Sequence, residues 1–149
     1  NLLFTVVSWL IMVVCCILFN LSNGFNLNTV YFIINSFVFA LCGASISILI
    51  GNVIRNVNAI AAVCNVVTLG LCFISGIFVP MEFLSSQVLK IASFTPTYWF
   101  VQANNQIAAL NSFDFAALQP VLTNMLIVFA FAVAFFAIAL TIGKRRSLE

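Results

Sequence analysis

Side chains able to do acid, base or metal chemistry are nearly missing from this chain. Of its 149 residues only eight are Asp, Glu, Lys or Arg, and none is His. They are Arg55, Glu82, Lys90, Asp114 and, in the tail, Lys144, Arg145, Arg146 and Glu149. Without His, the serines have no partner base, so no nucleophile–base pair can be assembled. Cys15, Cys16, Cys42, Cys64 and Cys72 sit in apolar sequence. They show neither paired spacing nor a His to complete a metal site, and read as small apolar filler. A phosphate loop is also missing: the only Gly-Lys pair, Gly143-Lys144, is followed by Arg and lacks the upstream Gly. The residue types therefore predict no catalytic site, no cofactor or metal, no nucleic-acid partner and no ATP hydrolysis by that route.

Between the few charges lie apolar runs long enough to cross a bilayer, which takes roughly 20 residues at about 1.5 Å each. A chain that is 64% hydrophobic and 5% charged has lipid as its solvent. The breaks define four spans, about 2–19, 29–51, 59–79 and 121–143, with a long connecting segment at 80–120. Helices are the default, because a spanning segment must satisfy its own backbone groups. Continuous apolar runs replace the short alternating strands of a barrel. The second span is the most polar, with Asn35, Ser36, Ser45 and Ser47. Its Leu, Ile, Phe and Val residues together favour insertion by about 4–7 kcal/mol, enough to outweigh one Asn and three hydroxyls.

Lys and Arg set the orientation. Arg55, Lys144, Arg145 and Arg146 fall on one side and only Lys90 on the other. The expectation is a cytoplasmic 52–58 loop, both ends of the chain cytoplasmic, and segment 80–120 outside. The chain opens on Asn1 within apolar sequence and closes on Leu148-Glu149, a dipeptide of the kind a cloning site leaves before a tag. It reads as the C-terminal part of a longer protein, and residues 148–149 are kept out of functional reasoning.

No Asp, Glu, Lys or His stands inside a span, where such residues mark proton relays and ion-coupled transport. Asn35, Asn65 and Asn124 are the polar residues with two readings: they line a path, or they hydrogen-bond between helices, which we favour. Gly43, Ser47 and Gly51 recur every four residues on one face of the second span, a spacing that lets another helix approach closely. The many Phe residues, Phe129, Phe131, Phe135 and Phe136 among them, read as lipid-facing or core.

Segment 80–120 is the least generic part. Ser75-Gly76 precedes Pro80, where a helix must end or bend. Leu84, Val88 and Ile91 then mark one apolar stripe. That predicts a short helix, too short to span, lying at the interface or dipping in and returning. Pro96 ends it, and Tyr98 and Trp99 suit the headgroup level. A half-polar helix over about 100–110 and a turn at 111–114 lead to the last span.

The ordered set Ser75-Gly76-Ile77-Phe78-Val79-Pro80, Leu84, Leu89, Ile91-Ala92 and Pro96-Thr97-Tyr98-Trp99, with the closing Gly143-Lys144-Arg145-Arg146, resembles the C-terminal half of ABC-2-type transporter permeases. Ser85 departs from the family, which commonly has Pro after this Leu. The resemblance implies an all-α membrane protein: four transmembrane helices, the last four of a six-helix permease, with a short extracellular re-entrant or interfacial helical pair between the last two. It further implies a bacterial multi-pass cell-membrane exporter subunit, powered by a separate ABC ATPase in trans and acting as a homodimer or paired permease. Arg55 on the cytoplasmic loop is then either an ATPase contact or a topology anchor. A non-transporting membrane scaffold is the alternative. It accounts for four helices but gives no reason for the Pro80–Trp99 segment.

Overall fold

The computed structural model describes residues 2–20, 26–54 and 56–146. Arg55 and most of the polar stretch after the first span lie outside the described residues. Six helices and one 3-10 turn make up the described chain, without a strand among the described residues. They are α1 (Leu2–Asn20), α2 (Leu27–Val53), α3 (Val57–Ile74), the 3-10 turn Met81–Phe83, α4 (Ser86–Ala92), α5 (Pro96–Ala108) and α6 (Phe115–Arg146).

The helices start and stop for local reasons. Asn56 caps α3, its side chain accepting from the Asn58 N–H at 3.0 Å. Gly76, at φ 95°, turns the chain sharply after Ser75. Helix α3 therefore ends at Ile74, before Pro80 is reached, and not at about 79. Ser85 caps α4, its Oγ accepting from the Val88 N–H at 3.4 Å, so the residue that departs from the family pattern supplies a helix start of its own. Pro96 opens α5 at its first turn, where a missing N–H costs nothing. The half-polar helix thus begins four residues earlier than the sequence predicts and takes in Tyr98 and Trp99. Helix α6 begins at Phe115 and absorbs Pro120, where the sequence predicts a start at about 121. A Pro so near a helix start forfeits one backbone bond and leaves the rest of the ladder intact.

Two of these helices, α2 and α6, are long and apolar enough to cross a membrane, while α1 and α3 are shorter apolar helices. Only 22% of the most apolar stretch of each long helix is buried. A core helix of a water-soluble fold would be mostly covered, so this much bare Leu, Val and Phe points to an apolar solvent. Leu126 on α6 and Val66 on α3 are typical, both well over half exposed.

Helix α2 is the centre, packed chiefly against α6, with α5 wedged across both at one end. Asn52 near the end of α2 reaches Ala139 of α6 and Cys42 meets Val128 and Ala132, so the two long helices run in the same direction. A second cluster, Ile107, Val121 and Met125, joins α5 to the start of α6. The apolar stripe expected on α4 is corrected in part. Leu84 and Val88 are half-buried but Ile91 is exposed, and Ala92 is the fully buried residue. Helix α4 starts only at Ser86, after the Ser85 cap, so Leu84 lies in extended backbone before it and does not share a helical face with Val88 and Ile91.

Candidate functional site

Uncharged amides do the work that charge does in soluble proteins. Asn28 of α2 donates to the carbonyls of Ile107 and Leu110 at 3.1 and 3.3 Å. It satisfies the C-terminal end of α5, where helix carbonyls lack internal partners. Seven residues on, fully buried Asn35 donates to the Phe100 carbonyl at 3.1 Å and to Asn104 Oδ1 at 2.8 Å. From α6, Asn124 donates to Gln106 Oε1 at 2.9 Å. At the opposite end, Asn52 donates to the Ala139 carbonyl at 2.8 Å. These amides strap α2, α5 and α6 into one block. Asn124→Ala is expected to cost about 0.6–1.7 kcal/mol, the range of single interhelical side-chain bonds in membranes. Gln106→Ala should cost a similar amount and the double variant no more than the two combined, as read from detergent-denaturation midpoints of the purified full-length protein.

The residues that carry the resemblance noted in the sequence gather at the end where α3 meets α4 and α5. Ser75 is fully buried, and its Oγ finds no hydrogen-bond partner. Gly76 leaves room for Met81 to fold back over the turn. Gln102 Nε2 bridges Tyr98 Oη at 3.2 Å and Met81 Sδ at 3.5 Å. Trp99 donates from Nε1 to the Ser93 carbonyl at 2.8 Å and packs on the α2–α6 core. Pro80 is exposed and Leu84 half-buried, while Pro96 is buried where α5 begins. Spacing alone places Tyr98 and Trp99 at a membrane surface; the fold turns the Trp99 ring inward and makes it a clamp between α4 and α5.

A partly enclosed cleft of about 330 Å³ separates α2 from α3. Gly43, Ser47 and Ile50 line it from α2 and Cys64, Thr68 and Cys72 from α3, with Thr97 of α5 at one end. Among the described residues no charged side chain lines it. A Cβ built on Gly43 would meet no atom within 4 Å, so among the described residues no helix makes the close approach that the Gly43/Ser47/Gly51 spacing invites. Of the three Asn residues singled out from sequence, Asn35 and Asn124 lie between helices, Asn65 is exposed on α3, and none lines the cleft.

The family model for ABC-2 family transporter proteins matches residues 2–141. The chain belongs to the ABC-2 family. No curated protein and no solved structure matches it. As an ABC-2 protein it is a membrane transporter component, and the apolar helices agree with that placement. Sequence reasoning missed the contributions of Asn28, Asn104 and Gln106. The spacing of Asn28 and Asn35, two turns apart on one face of α2, was the available signal; their partners on and just after α5 were not visible, because periodicity does not tell which face of one helix meets another.

Proposed function

We propose that the chain is the membrane-spanning permease portion of an ATP-binding-cassette exporter, driven by a separate ATPase subunit and paired with a second permease. The observation that carries this reading is the ABC-2 match over residues 2–141. It falls on a helical, nearly uncharged chain that has no phosphate loop of its own. Energy must then arrive from another nucleotide-binding unit.

In this reading α1, α2, α3 and α6 are the four spans. The 19 residues of α1 and 18 of α3 reach about 27–29 Å at 1.5 Å per residue, close to a hydrocarbon core of about 30 Å. The 3-10 turn, α4 and α5 form an extracellular re-entrant pair that caps the path, with Ser75, Gly76, Pro80, Leu84, Pro96, Tyr98 and Trp99 shaping it. The Lys/Arg bias puts both ends of the chain and the 52–58 loop in the cytoplasm of a bacterial cell. Arg55 there would meet the ATPase, and the Asn52–Ala139 bond beside that loop ties α2 to α6. Asn65, exposed on α3, is the Asn left to face a path. A cleft without charge suits a neutral, hydrophobic cargo.

The test is a pull-down of the full-length protein from its own membranes, with partners identified by mass spectrometry. A co-purifying protein bearing a phosphate loop is the expected result. Recovery of no such ATPase, in a detergent that preserves permease–ATPase complexes, would move the reading to a non-transporting scaffold.

A further inference from the structure

Helices α1 and α2 meet at Trp9, whose Nε1 donates to Ser36 Oγ at 3.1 Å and whose ring meets Phe37 edge-on. Beside that contact runs an open-sided groove in two parts, of about 580 and 250 Å³, which share Met12, Ser36 and Phe100. Cys16 lies with Ile33 at one end and Thr5 with Ala40 at the other, so α1 and α2 are antiparallel along it. The parts cover about 12 Å from Phe4 to Met12 and about 6 Å from Met12 to Cys16, at about 1.5 Å per residue. The cross-section is therefore even, about 40–50 Å² throughout. A helix about 10 Å across takes about 80 Å², whereas an extended hydrocarbon chain touching its neighbours at about 4 Å takes about 20 Å². The groove has room for two such chains side by side and is too narrow to seat a helix.

One end of the groove carries an unused donor. Ser36 is satisfied, accepting from Trp9 and donating to the Ile33 carbonyl at 2.8 Å. Asn104 of α5, which lines the narrower part, is not. Its Oδ1 accepts from Asn35, but its amide N–H groups have no partner among the described residues. Nor are they shut away: the side-chain atoms buried without a partner are Asn35 Oδ1 and Ser75 Oγ. In lipid such a donor costs free energy until it meets an acceptor. Depth selects the kind of acceptor. Asn35, the partner of Asn104, stands eight residues into α2, about 12 Å from its start. The 27 residues of α2 reach about 40 Å, about 10 Å more than the hydrocarbon core, so with α2 centred Asn104 lies about 7 Å below the hydrocarbon edge. A charged headgroup drawn to that depth would leave water, and among the described residues no charged side chain lines the groove to meet it. An uncharged glyceride carries no such cost. We propose that the α1–α2 groove binds a neutral diacyl lipid, its two chains along α1 and an ester carbonyl accepting from Asn104. The site depends on membrane residence alone and stands whatever the cargo or energy source.

Photo-crosslinking tests it. The full-length protein is reconstituted into phosphatidylcholine vesicles holding a small fraction of diacylglycerol with a photoreactive group on one chain. Labelled peptides are identified by mass spectrometry. Label is expected on the α1 and α2 residues of the groove, Met12 and Phe39 among them. Unlabelled diacylglycerol should compete it away. The dialkyl ether analogue, which lacks the carbonyl, should compete about three- to tenfold less well, the worth of one neutral hydrogen bond. Asn104→Ala should abolish that preference for the ester, while Asn35 keeps its bond to the Phe100 carbonyl. Met12→Trp, at an exposed position that tolerates a larger side chain, should fill the middle of the groove. It should lower groove label by at least about tenfold and leave label at exposed Leu126 of α6 unchanged. Groove label no stronger than that at Leu126, or equal competition by ester and ether, would overturn the inference. So would an ester preference that survives Asn104→Ala, or a phosphatidylcholine probe that labels the groove as strongly as the glyceride. A groove that takes no lipid label, because another helix or a second copy covers it, would overturn it too.

Discussion

Gly76→Val is expected to be the most damaging single substitution in the segment that joins α3 to α4. Gly76 sits at φ 95°, and a Cβ there would lie 2.6 Å from Met81 Cγ and 3.3 Å from Met81 Cε. The first of these atoms moves only if Met81 changes its χ1 rotamer, which carries the whole side chain with it. Left-handed backbone costs an L-residue roughly 1–2 kcal/mol, and overpacking adds a further 1–3 kcal/mol, so a loss of about 2–5 kcal/mol is expected. The consequence reaches further than the turn. Met81 would be displaced from Gln102, and with it the contact that seats the 3-10 turn on α5. Gly70 is the internal control: it lies within α3, a Cβ there meets nothing within 4 Å, and Gly70→Ala should be neutral or stabilising by up to about 1 kcal/mol. Thermal unfolding of the full-length protein in detergent, followed by loss of the monodisperse species, separates the two. Equal midpoints for Gly76→Val and Gly70→Ala would show that the turn is not under this constraint.

The second large effect is expected at Asn35. Its amide nitrogen is the donor for two acceptors, the Phe100 carbonyl and Asn104 Oδ1. Asn35→Asp keeps the shape and inverts the chemistry. Ionised, the carboxyl faces the Phe100 carbonyl with no donor, and Asn104 must turn its amide to meet it. Unless it takes up a proton, which at neutral pH is itself costly, the buried carboxylate faces the Phe100 carbonyl unpaired, and a loss of about 3 kcal/mol or more is expected. Asn35→Ala should cost less, about 1–2 kcal/mol. It strips the donor but also removes Asn35 Oδ1, which is buried without a partner already. The order Asp worse than Ala is the informative result, because a residue that merely filled space would show the reverse. Asn65→Ala, at an exposed position, should stay within about 0.5 kcal/mol of the parent.

The contrast between Asn35 and Asn65 shows where sequence reading stops. Both are single amides in apolar helices, and periodicity cannot separate them. One is fully buried against a helix 65 residues further along the chain; the other is exposed. The same holds for Gly43, Ser47 and Gly51. Their spacing identifies a face made for close approach, but the structure shows that face opening on a cleft. Pro96 and Pro120 mark a related limit. Each reads as a break, yet one opens a helix and the other sits inside one. What a Pro does depends on its distance from a helix start, which the chain on either side decides.

The sequence by itself determined the solvent, the helical class and the break between α3 and α4. Those follow from local quantities: eight charges in 149 residues, backbone groups that lipid cannot satisfy, and a glycine beside a Pro-containing turn. It also carried the motif order that places the chain with the ABC-2 permeases. The tertiary structure alone decided that α2, α5 and α6 are strapped together by amides, that Trp99 turns inward, and that α2 and α3 border a cleft. These depend on the rotation and tilt of each helix about its axis. Rotation and tilt are fixed by side chains far apart in the chain meeting at one depth, and no local pattern encodes which pairs will meet.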